Sequence, residues 1–64
     1  MADSGYIIEF QSVGSIVKVT AIDPVSGREA VIQGPATAGQ HALGQAAVKK
    51  LEFLLRQKHD DGSG

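Results

Sequence analysis

Two histidines, a few serines and one cluster of cations are the side chains of this 64-residue chain best equipped for chemistry. His41 and His59 are the imidazoles that could hold a metal. Eighteen residues of helix at about 1.5 Å each would part them by about 27 Å, too far to share one ion. The chain has no cysteine, which removes thiolate zinc sites and disulfides together. No metal and no cofactor are therefore expected, and both histidines are read as facing solvent. Ser12, Ser15, Ser26 and Ser63 fall in turns or tails, and none stands in a local motif with a histidine and an acid. A serine triad is defined by geometry rather than by order in the chain, so this is an expectation for the structure to meet. On this reading the protein has no catalytic residue and is not an enzyme.

Lys49, Lys50, Arg56 and Lys58 form the basic cluster. Six Lys and Arg against seven Asp and Glu give a formal net charge of -1, which removes the bulk attraction that nucleic-acid and anionic-membrane binders usually show. The four cations on a solvated helix face are the plain reading, with nucleic-acid association through them as the alternative. The segment Gly34-Pro35-Ala36-Thr37 opens the helix, and a helix amino terminus can receive an anion. Thr37 and Gln40 have capping-box spacing and would occupy those donors themselves. Neither a phosphate-loop lysine nor a Gly-x-Gly-x-x-Gly run is present.

These side chains must be positioned by short elements in one small domain. At this length folding hides roughly 60% of the surface that the unfolded chain exposes, so a staple or a partner would help. Residues 1–64 are read as a single domain with an ordered core over about 6–58, the ends "MADSG" and "HDDGSG" being polar and flexible. Tyr6, Ile8 and Phe10 alternate with Ile7, Glu9 and Gln11, the period of a half-buried strand, and "SVGS" follows as a turn. Val17, Val19 and Ala21 alternate with Ile16, Lys18, Thr20 and Ile22. In the loop "DPVSG", Asp23 can bond its own backbone, Pro24 presets φ, and Gly27 supplies a positive φ. Arg28 to Gln33 reads as a third strand, stopped by Gly34-Pro35.

From the Thr37 cap to about His59 the period becomes helical. Leu43, Ala47, Leu51, Leu54 and Leu55 fall on one stripe, with Gln45, Lys49, Glu52 and Arg56 opposite. Gly39 and Gly44 each weaken the helix by roughly 1 kcal/mol, unless Gly44 serves a close approach to the sheet. The pattern predicts an α+β fold: a three-stranded antiparallel meander packed against one long C-terminal helix. Its buried sheet face would be Tyr6, Ile8, Phe10, Val17, Val19, Ala21, Ala30 and Ile32.

The run "VKVTAID", a glycine-containing loop, and "GP" leading into a long amphipathic helix resemble a family of short uncharacterised alphaproteobacterial proteins, a domain of unknown function. The resemblance spans roughly residues 6 to 56. It implies the β-β-β-α fold and no activity, and it assigns no site residue. The same element order also looks like the carboxy-terminal part of a double-stranded-RNA-binding domain. That likeness fails on particulars: the preceding helix is missing, and "TAGQHA" stands where a lysine cluster should open the last helix.

The amino terminus has no basic and apolar signal pattern, and no apolar run approaches the ~20 residues that cross a bilayer. A soluble, cytoplasmic protein without membrane contact is expected. The remaining anomaly is apolar surface. The helix stripe is too wide for one small sheet, since Ala42, Ala46 and Phe53 lie on a flank well away from its centre at Ala47, beside Lys49 and Arg56, while Ile7, Ile16, Ile22 and Val31 stand on the outer sheet face. Such a cluster on a chain with so little core points to a partner. The expected function is a small non-enzymatic binding or interaction module, a homodimer or the subunit of an unidentified protein partner, with Ala42, Ala46 and Phe53 as candidate interface residues.

Overall fold

The computed structural model describes residues 5–63, with side chains described over 5–57. Residues 1–4 and 64, and the side chains of residues 58–63, Lys58, His59 and Ser63 among them, therefore lie outside the described residues. The elements are β1 (Ile7–Val13), β2 (Ile16–Ile22), β3 (Glu29–Pro35), a 3-10 turn over Ala36–Ala38, and α1 (Gln40–Ser63). The strands form one antiparallel sheet in the order β1-β2-β3, with α1 packed on β2 and β3. This is the α+β meander with a carboxy-terminal helix that the periodicities predict.

The strand ends differ from that reading. Val13 pairs with Ile16, so β1 runs two residues past Gln11 and the turn is Gly14-Ser15 rather than "SVGS". Gly14 has φ 64, and among the described residues no residue other than glycine has a positive φ. That is a type II′ turn, whose twist suits a two-residue hairpin. β3 likewise continues through Gly34 and Pro35. Pro35 costs the ladder nothing there, because its position on an edge strand turns the missing N–H away from β2.

The second loop is built around Asp23, as expected, but Ser26 matters as much. Asp23 accepts from Val25 N at 3.0 Å and from Ser26 Oγ at 2.9 Å, and Ser26 Oγ in turn accepts from Arg28 N at 3.1 Å. Gly27, at φ 80, lets the chain turn back, and its N–H donates to Asp23 O at 2.7 Å. The helix start is also corrected. Thr37 sits in the 3-10 turn and is not the cap; Gly39, at φ 91, precedes Gln40 and its carbonyl takes the Leu43 N–H at 3.1 Å. A threonine disfavours that positive φ, whereas a glycine adopts it freely. At its other end α1 passes the predicted stop near His59, since no proline intervenes.

Across the inner face the register makes three rows: Ile8-Ala21-Ala30, Phe10-Val19-Ile32 and Ser12-Val17-Gly34. Under the helix, β2 and β3 present Val17, Val19, Ala21, Ala30 and Ile32, with Gly34 at one end. A Cβ placed on Gly34 would lie 2.5 Å from Leu43 Cδ2, so the glycine is there for helix approach. The buried core among the described residues is Val17, Val19, Ala21, Ala30, Leu43, Ala47 and Leu51, and not one buried side chain is polar or charged.

Candidate functional site

Because α1 settles over β2 and β3, the inner face of β1 is left beside the helix rather than beneath it. Ile8 and Phe10 therefore form one wall of a groove, and Gly44 and Val48 of α1 form the other. The groove encloses about 490 Å³, with Gln40, His41, Gln45 and Lys49 at its mouth. Phe10 belongs to the face read as buried, yet it is 38% exposed. Its ring lies 3.4 Å from where a Gly44 Cβ would be, so Gly44 admits an aromatic side chain rather than the sheet backbone.

The backbone of β1 is open on the same side. Three bonds fix the parity of the ladder. Asp23 N donates to Arg28 O, Ala36 N to Ser15 O, and Lys50 Nζ to the Val31 carbonyl, which therefore points away from β2. In an antiparallel ladder hydrogen-bonded and non-bonded pairs alternate. Odd-numbered residues of β2 thus bond β3 and even-numbered ones bond β1. Through the register, Ile7, Glu9, Gln11 and Val13 turn their N–H and C=O groups toward β2. Those of Ile8, Phe10 and Ser12 turn outward. The residues that wall the groove are the ones with outward-facing backbone groups.

The other sheet edge is treated differently. Lys50 Nζ donates to Val31 O at 2.9 Å, and Arg28 Nη2 makes a long bond of 3.5 Å to Leu54 O. Lys50 thus reaches across from α1 to occupy the outward carbonyl in the middle of β3, and a covered edge is less open to further pairing. Lys50 is thereby drawn out of the predicted basic cluster. Lys49 and Arg56, seven residues apart, share an exposed helix face, while Lys50 lies about 100° round the helix from Lys49. The structure does not bring the described cations together on one surface.

Ala42, Ala46 and Phe53 do lie together, all exposed, with Phe53 at 53%. By helix geometry they fall between Lys49 and Lys50, on the outer face of α1. Apolar surface on α1 is therefore split into two separate patches. His41 is exposed at the groove mouth. Among the described residues there is no group of three or more His, Cys, Asp or Glu placed to hold a metal ion. No helix among them is long and apolar enough to cross a membrane.

A small β-β-β-α domain whose helix leaves one edge strand uncovered is the class that fold and groove define. Within it, residues 3–59 match the DUF6898 model, a domain of unknown function, and the chain belongs to that family. Comparison with curated proteins and with solved structures found no match.

Proposed function

We propose that this domain is a non-enzymatic interaction module that self-associates and docks through the uncovered inner face of β1. The observation that carries the reading is Phe10, an aromatic side chain on the core face of the sheet that its own helix leaves 38% exposed. Aromatic side chains in apolar grooves are the usual anchors of interfaces, since they lose large apolar area at small conformational cost. Groove walls of Ile8, Phe10, Gly44 and Val48 offer an apolar surface with two amides, one imidazole and the Lys49 ammonium at the rim. With seven buried residues among those described, such a chain has reason to gain apolar burial from a partner. A cysteine-free chain suits a cytoplasmic setting.

A photoreactive phenylalanine analogue at position 10, irradiated in the native cell, tests the reading. A discrete protein adduct is expected from position 10 and none from Val25, which is 93% exposed in the loop after β2. Equal labelling from both positions, or none from position 10, removes the docking role from this face.

A further inference from the structure

Building on that docking face, we infer that its occupant is a second copy of this chain, joined through antiparallel pairing of the two β1 strands about a twofold axis at Phe10. The outward N–H and C=O groups of Ile8, Phe10 and Ser12 are spaced for this. With Phe10 opposite Phe10 of the second copy as a hydrogen-bonded pair, Ile8 falls opposite Ser12, and about six backbone bonds form across the axis. The sheets merge into one of six strands, the closed isologous contact typical of small homodimers.

Side-chain complementarity selects this register. On the outer face it sets Glu9 opposite Gln11 and Ile7 opposite Val13 of the other copy, at the short Cα separation of about 4.5 Å of non-bonded pairs. Moving the axis to residue 9 sets Glu9 against Glu9, like charges directly opposed. Moving it to residue 11 leaves Phe10 against Ser12. On the inner face the chosen register joins the two grooves into one trough between the helices. Strands about 4.8 Å apart put the helix axes about 19 Å from each other, leaving a gap of about 9 Å once a helix width of about 10 Å is removed. Phe10 and Ile8 of both copies stand in that gap. β1 carries neither lysine nor proline, the common edge-blocking residues, whereas Lys50 caps β3.

The absence of native cysteine makes the test clean. Glu9→Cys and Gln11→Cys variants, each with a different affinity tag, are mixed and oxidised gently. Both positions are exposed on the outer face, so the core is untouched. Position 9 meets position 11 at a Cα distance a disulfide can span, while 11 to 11 across the axis is about 8 Å, beyond that range. A severalfold excess of the mixed disulfide over either homodisulfide is expected. Homodisulfides of Glu9→Cys in excess, a statistical mixture, or no crosslink overturns the pairing. Ser12→Pro is the second arm: it removes an outward N–H that β2 does not use, so the variant should remain folded and sediment as a monomer. A folded Ser12→Pro dimer overturns the inference, as does a parent that sediments as a monomer at millimolar concentration. If the position-10 photoadduct is a different protein, the face still docks and the second copy is excluded as its occupant. No adduct at all sinks the docking role itself.

Discussion

Gly34 shows how far one missing methyl group reaches in so small a core. Read along the chain it is half of a Gly-Pro stop; in the fold it is the place where Leu43 rests on the sheet. Sequence alone gives no sign of this, because the contact joins two elements. Gly34→Ala puts a Cβ into the Leu43 side chain, which is buried and has little room to yield, and is expected to cost about 1–3 kcal/mol. Urea denaturation checks it, and an unchanged midpoint would show that Leu43 repacks freely. Its spacing puts Leu51 on the buried stripe, and it is fully buried. Leu51→Ala should cost about 2–5 kcal/mol, enough to leave much of the population unfolded at room temperature. At Gly27 a Cβ would meet no neighbour, yet φ 80 is strained for any branched residue. Gly27→Val is therefore expected to lower stability by about 1–2 kcal/mol through the backbone alone. Ser26→Ala, which breaks the bridge between Asp23 and Arg28, should cost about 0.5–1.5 kcal/mol in the same assay.

Among the elements, what could be read was whatever repeats locally. Period two in 16–22 and the leucine spacing from Leu43 to Leu55 reflect burial on one face; Tyr6–Gln11 has the same period and forms a strand, but its inner face is only part-buried. Element ends were less legible. Thr37 and Gln40 have capping-box spacing, yet the chain uses Gly39, because the 3-10 turn after Pro35 must reverse into the helix at a positive φ. Least legible was the lateral seat of the helix. It follows from Ala21, Ala30 and Gly34 being small on β2 and β3 while Ile8 and Phe10 are large on β1, a cross-strand relation visible only once the register is known. The groove, hence the candidate site, is a product of that offset. Gly44 marks the helix side of it. Gly44→Ala gains up to about 1 kcal/mol of helix propensity, and its methyl meets only the yielding, part-exposed Phe10 ring. A higher melting temperature is expected; a lower one would mean that the Phe10 ring is held in place.

For the whole molecule the two apolar patches of α1 make separable predictions. Folding linked to association raises the melting temperature with protein concentration, because mass action favours the assembled state. The parent should show that rise. Phe53, with Ala42 and Ala46, is exposed on the outer face of α1 and does not line the groove beside β1. Phe53→Glu puts a charge on an exposed flank, removes no core contact, and should retain both the fold and the concentration dependence. Ser12→Pro should fold but melt at a temperature independent of concentration, since each chain loses an outward N–H and the proline ring obstructs the edge. The reverse pattern, with Phe53→Glu flat and Ser12→Pro still rising, would move the interface to the flank formed by Ala42, Ala46 and Phe53. Differential scanning calorimetry over a hundredfold range of concentration decides, because each variant leaves the other patch intact.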